Sequence, residues 1–105
     1  MAERTRRLKV VWTQQAESQL QETLEYWINK NKSTKYANSL LLEVLSKSKK
    51  LETDPFLAPR TEFVEIRNLV VKDYSLFYKV LEIEIVILAF WDNRRNPDNL
   101  KNLLT

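Results

Sequence analysis

Two adjacent arginines, Arg94 and Arg95, follow a carboxylate and a carboxamide at the end of an apolar run, I-V-I-L-A-F-W-D-N-R-R-N-P over Ile85 to Pro97. Guanidinium groups hold phosphate and carboxylate oxygens bidentately, so a pair of them on the end of a rigid strand can clamp an oxyanion or an acidic segment of a partner. The same residues also describe a solvated turn, in which Asp92 pairs with one arginine and Asn93 or Asn96 shapes the chain. Arg67 interrupts another apolar stretch and either faces solvent or points into a cleft. Lys47, Lys49 and Lys50 fall in the last turns of a helix, where they complement its C-terminal dipole or are available to RNA. Trp12, Trp27, Tyr26 and Tyr36 have spacings that suit a core or a protein interface, with base stacking as the alternative.

Composition narrows the chemistry. The chain has no cysteine, histidine or glycine. Disulfides, thiolate or imidazole metal ligands, Cys/His and Ser/His nucleophile pairs and imidazole acid/base catalysis are therefore excluded, as are phosphate loops and dinucleotide fingerprints that depend on glycine. No cofactor and no metal site is expected: Glu62, Glu65, Glu82 and Glu84 read as solvated strand positions. The net charge of +3 is a mild basic bias, compatible with an anionic partner. The basic N-terminus, with Arg4, Arg6, Arg7 and Lys9, precedes an apolar stretch of only three residues, and the longest apolar run is too short to span a bilayer. A soluble, cytoplasmic protein without membrane partners is expected.

The elements that must position these groups follow from periodicity. Leu8 to Trp12 is a short strand candidate, and Thr13 is a plausible N-cap. Ala16, Leu20, Leu24, Trp27 and Ile28 repeat at helical spacing, predicting a first helix from Thr13 to Asn29 or Lys30. Asn31, Ser33 and Thr34 break it. A second helix carries Ala37, Leu40, Leu41, Val44, Leu45, Ser48 and Leu51 on one face and ends by Asp54-Pro55, because the residue before proline avoids the helical region. The short connection predicts an antiparallel helical hairpin.

After Pro59 the pattern changes to strands. Phe63 to Val71 is broken at Arg67-Asn68, Lys72-Asp73 is a turn, and Tyr74 to Val80 alternates with a period of two. Ile85 to Trp91 has no polar face and is predicted as a central strand covered on both sides. The expected fold is a single α+β domain over residues 1–105, in the order β-α-α-β-β-β, with an antiparallel sheet packed against the two-helix hairpin.

This order, together with V-E-I-R-N-L-V-V-K-D-Y-S-L-F-Y-K-V at Val64 to Val80 and F-W-D-N-R-R-N-P at Phe90 to Pro97, resembles the RelE/ParE superfamily of bacterial type II toxins. The resemblance covers nearly the whole chain and rests on Arg67 opening the second strand, on Asp73, Tyr74 and Tyr78, and on a final apolar strand ending in arginine. It implies a toxin held inactive by a cognate antitoxin and reaching operator DNA only through that antitoxin.

One branch of the superfamily cleaves mRNA in the ribosome and the other poisons DNA gyrase. Ser75 stands where the nuclease branch often carries arginine, and the histidine that commonly precedes the terminal arginine is missing, so the resemblance favours the gyrase-directed type. The alternatives are a metal-independent endoribonuclease acting on ribosome-bound mRNA and a non-toxic, antitoxin-binding member. Under the resemblance Arg67, Arg94 and Arg95 are the catalytic candidates. Asp92, Asn93, Tyr74, Tyr78, Lys49 and Lys50 are the expected target-binding residues. The antitoxin is expected in an exposed apolar groove beside the helical hairpin.

Overall fold

A computed structural model describes residues 7–104; Arg4 and Arg6 of the basic N-terminal run lie outside the described residues. The chain forms β1 (Lys9–Trp12), α1 (Gln14–Asn31), α2 (Lys35–Lys50), β2 (Arg67–Val71), β3 (Tyr74–Val80), β4 (Glu84–Asp92) and α3 (Asp98–Leu104).

Thr13 caps α1, its hydroxyl accepting the Ala16 N–H at 3.1 Å. The predicted stripe faces inward: Ala16 is fully buried, and Leu20, Leu24 and Trp27 pack against the same core. In α2 the buried face is Ala37, Leu40, Val44 and Ser48, continued by Leu51 just after the helix. Each fully buried Leu or Val contributes about 1.5–3 kcal/mol, so Leu40, Val44 and Leu51 are the main apolar anchors of this segment. Leu45, expected on that face, is instead half exposed beside Leu42, which is 68% exposed. The stripe is thus narrower than its sequence spacing suggests, because α2 also borders a groove.

The strand order is β1-β4-β3-β2. β2, β3 and β4 form the expected antiparallel meander, but β1 pairs with β4 in parallel, so the sheet is mixed. The reason lies in the hairpin. α2 returns the chain to the end of the sheet where β1 starts, the Leu8 N–H donating to the Glu52 carbonyl at 2.9 Å. β2 therefore sets out in the direction of β1, and β4, two reversals later, runs the same way. β4 is central, as predicted. The expected strand from Phe63 shortens to Arg67–Val71; residues 63–66 are a turn, with Thr61 Oγ1 accepting from Phe63 N–H and donating to the Ile66 carbonyl. The seven-residue α3 is an element the sequence pattern did not announce.

One irregularity decides how the sheet's two faces are filled. Along β3 and β4 the partners run Phe77 to Ala89 and then Tyr78 to Ile87, leaving Leu88 as an extra residue in β4. This β-bulge shifts the alternation by one. Ile85, Ile87 and Phe90 consequently share the helix-facing core with Tyr74, Leu76 and Tyr78. Ala89 and Trp91 turn to the other face, where Leu88, Phe63 and the leucines of α3, Leu100, Leu103 and Leu104, close a second, smaller core.

Without glycine, left-handed backbone falls to Lys32, Glu65 and Lys72, with φ of 53°, 61° and 54°. The conformation costs an L-residue about 1–2 kcal/mol. Lys32 ends α1, its N–H donating to the Ile28 carbonyl, a position glycine usually occupies. Lys32→Gly should raise stability by about 0.5–1 kcal/mol, after the greater freedom of glycine in the unfolded chain is subtracted. A thermal melt should show Tm higher by roughly 3–6 °C; an unchanged Tm would mean that the cap carries no strain.

Candidate functional site: the end of β4

Because of the Leu88 bulge, Asp92 points to the helix-facing side of the sheet, where it meets a turn that folds Arg94 back over it. The Arg94 N–H donates to Asp92 Oδ1 at 2.9 Å, and the guanidinium grips both carboxylate oxygens, Nε to Oδ1 and Nη2 to Oδ2, each at 2.9 Å. Nη2 also reaches the Tyr74 hydroxyl at 3.2 Å. Tyr74, opposite Asp92 in the β3–β4 register, accepts a second hydrogen bond from Trp27 Nε1 at 2.8 Å and stacks on Phe90 with ring centroids 4.9 Å apart. The Arg94 guanidinium lies 5.9 Å from the Trp27 ring and 5.6 Å from the Tyr74 ring. Trp27 in turn packs edge-on to Tyr26 and Tyr36.

The electrostatics follow from these contacts. Hydrogen bonding to Arg94 holds the Asp92 carboxyl below the usual carboxylate range, against a smaller opposing effect of burial. The same pairing keeps Arg94 protonated more firmly than a free arginine. Burial pushes the Tyr74 phenol up, opposed by the Trp27 hydrogen bond and by Arg94, so it stays neutral at physiological pH. A committed carboxylate, a neutral phenol and a neutralised guanidinium thus form one closed hydrogen-bonded cluster.

The other predicted residues disperse. Arg95 turns away from Asp92 and lies over Trp91 at 5.1 Å. Asn93 Oδ1 accepts from the Ser75 hydroxyl at 3.0 Å, tying the turn to β3. Arg67 pairs with Tyr78 across β2 and β3, whereas Asp92 pairs with Tyr74. The two ends are four residues apart along β3, about 13 Å at ~3.3 Å per residue, so Arg67 and Arg94 do not share a site. Arg67 Nη1 donates to the Ala58 carbonyl at 2.7 Å and covers the Phe56 ring at 4.9 Å. Tyr78 is fully buried and donates to the Pro55 carbonyl at 2.9 Å; together the pair fastens the loop between α2 and β2. Lys49 and Lys50 are exposed near Arg7, Ser46 and Thr53, around a separate surface cavity of about 300 Å³. Lys47 reaches the Val70 carbonyl at 3.3 Å.

Sequence reasoning missed Trp27 as a polar partner and missed Gln15 and Gln19 altogether. The two glutamines, four apart on α1, hydrogen-bond the main chain of β4 at Leu88 and Phe90. Their signal was a pair of carboxamides flanking the buried Ala16 on the side of the apolar stripe. Among the described residues no group of three acidic side chains comes together as a metal site, and no helix is long and apolar enough to cross a membrane.

A family model described as the ParE toxin of the type II toxin-antitoxin system, parDE, matches residues 10–97. Among solved structures the chain is similar to one from a chromosomal ParDE TA system from P. aeruginosa, with a TM-score of 0.71 and 20% sequence identity. The match covers 81% of this chain and 95% of that one. At that identity the likeness concerns the fold. No curated protein sequence matches the chain.

The Asp92–Arg94 pair has a pH signature. Because the folded carboxyl is held below its ordinary value, the pair's stabilisation is complete above the ordinary carboxylate range, about pH 4. It is lost as pH falls through the lower, folded value. Arg94 is half exposed and Asp92 a quarter exposed, so solvent screening limits the effect to about 0.5–1 kcal/mol. Asp92→Asn should be less stable than the parent by that amount in urea unfolding at neutral pH, with the gap closing as pH falls below the ordinary carboxylate range. A gap that persists in acid would contradict the pairing.

Proposed function

The chain belongs to the ParE toxin family of type II toxin–antitoxin systems, and from that premise we propose that it is a growth-inhibiting toxin directed at DNA gyrase in its own cytoplasm and neutralised by a cognate antitoxin. The observation that carries the gyrase reading is the closed state of the Arg94 guanidinium, gripped by Asp92 through two hydrogen bonds and by Tyr74 through a third. Cleaving RNA needs a group to activate the 2′-hydroxyl, charge to stabilise the phosphorane and an acid for the leaving oxygen, converging on one phosphate. Here Arg67 and Arg94 stand about four residues apart along β3, and Arg94, Asp92 and Tyr74 are already satisfied by one another. A surface held this firmly suits recognition of a protein target, with Arg95 and the aromatic cluster around Trp27 as its projecting features.

An antitoxin partner is supported by the apolar groove along the hairpin. Trp12, Leu20, Leu24 and Leu45 line it together with Glu17 and Gln21, and Leu42 stands exposed beside it. A soluble domain of this size rarely leaves so many large apolar side chains at one place without a partner. An amphipathic helix laid into the groove would cover them, and operator DNA would then be reached through the antitoxin.

Induction of the protein without antitoxin should arrest growth, and the purified protein should inhibit gyrase in a supercoiling assay while primer extension on translated mRNA detects no new ends. Replacing Arg94 and Arg95 together by Ala should abolish growth arrest while the groove still retains the antitoxin at reduced affinity. New mRNA ends with supercoiling unaffected would establish the ribosome-dependent nuclease instead; no growth defect would remove both toxin readings.

A further inference from the structure

β4 is nine residues long, but β1 covers only Glu84 to Ile87. Beyond the Leu88 bulge, Ala89, Trp91 and Asn93 turn their main-chain groups to β3, as the Asn93 N–H on the Asp73 carbonyl at 2.9 Å records. Phe90 and Asp92 therefore turn theirs the other way, toward α1. Helix side chains finish the first part of this edge. Gln15 Nε2 and the Thr13 hydroxyl donate to the Leu88 carbonyl at 3.1 and 3.3 Å, and Gln19 Oε1 accepts the Phe90 N–H at 2.8 Å. At the far end the Asp92 carbonyl accepts the Arg95 N–H at 3.0 Å.

Two groups remain, the Phe90 carbonyl and the Asp92 N–H, and among the described residues no side chain caps either. Phe90 and Asp92 both line a cavity of about 220 Å³ whose walls include Gln19, Glu22, Thr23, Tyr26, Arg94 and Arg95. Which groups are left selects the direction of any strand that enters. An antiparallel residue needs both the N–H and the C=O of one residue opposite it, and each of Phe90 and Asp92 has one of the two already taken. A parallel residue needs the C=O of one position and the N–H of the position two further on. That is the pair left open.

We propose that this slot receives one residue of an extended, acidic segment of the antitoxin, running parallel to β4, with its N–H on the Phe90 carbonyl and its C=O on the Asp92 N–H. The proposal rests on the antitoxin reading above. The acidic character follows from charge. Arg94 is neutralised by Asp92, whereas Arg95 lines the same cavity, makes no ion pair among the described residues and covers only the Trp91 face. The entering residue lies opposite Trp91 and, in parallel pairing, points to the same face as Trp91, where Arg95 lies, so a carboxylate on that residue itself completes Arg95, while Glu22 on the helix side of the cavity disfavours an acidic neighbour there. The slot is separate from the apolar groove between the helices, so the antitoxin is held by a helix at one place and by a strand at the other.

The complex purified from the toxin gene together with the adjacent antitoxin gene, compared with free toxin by NMR-detected amide exchange, tests this. The Asp92 amide should exchange at least about tenfold more slowly in the complex. Arg95→Glu should weaken the complex about tenfold or more, with Arg95→Lys intermediate and Lys9→Glu, at the far end of β1, unchanged. An Asp92 amide that exchanges as fast in the complex as in the free toxin overturns the proposal and leaves the antitoxin reading standing. Arg95→Glu binding as tightly as the parent overturns the acidic assignment. Failure of the two gene products to associate removes the antitoxin reading and this proposal together.

Discussion

A single extra residue in β4 governs what the end of this strand can present. Leu88 interrupts the alternation, so Ile87 and Phe90 both face the helices and Asp92 arrives on that side too. In a regular ladder Asp92 would point to the opposite face, with Arg94 unable to fold onto it beneath Trp27. The bulge also turns Trp91 to the second face, where it carries Arg95. Two neighbouring arginines of the same sequence type thereby acquire different jobs: one is locked into a hydrogen-bonded cluster, the other is left available.

The parallel placement of β1 has a related consequence. β1 is short because Thr13 starts a helix, and α1 then travels along the unpaired half of β4, substituting glutamine side chains for strand main chain. Such substitution satisfies buried polar groups that would otherwise cost about 1–3 kcal/mol each. It stops at Gln19, and the cavity begins where it stops. The fold's core, its locked arginine and its open edge are thus three results of one geometry, the overlap of a nine-residue strand with a four-residue neighbour.

Much of the scaffold was legible in the sequence because its signals are local. The stripes of α1 and α2, the Thr13 cap, the alternation of Tyr74 to Val80 and the central position of the apolar Ile85–Trp91 run are written in residue spacing. The pairing of Asp92 with one of the two arginines was also among the readings the turn allowed. What was not legible depends on partners far away in the chain. Nothing near Leu88 marks a bulge, since every residue around it is apolar and either alternation looks acceptable. The direction of β1 depends on where α2 returns the chain. Arg67 read as facing either solvent or a cleft and Tyr78 as a target-binding candidate, yet together they fasten the Pro55–Ala58 loop, whose path the sequence does not constrain. The absence of glycine hid the turn at residues 63–66, because a glutamate at positive φ leaves no compositional trace, whereas the Lys72-Asp73 turn was legible. α3 is short and becomes a helix by docking its leucines on Trp91 and Leu88, a tertiary effect that periodicity over seven residues cannot reveal.

Arg94 is held by Asp92 and Tyr74 while Arg95 is left open, and the arginine side-chain signals in a ¹H–¹⁵N spectrum measure that difference directly. The Arg94 Nε–H should remain visible with slow solvent exchange at mildly alkaline pH, vanish into fast exchange in Asp92→Ala, and contrast throughout with a rapidly exchanging Arg95. Equal, rapid exchange of both Nε–H groups in the parent protein would contradict the account.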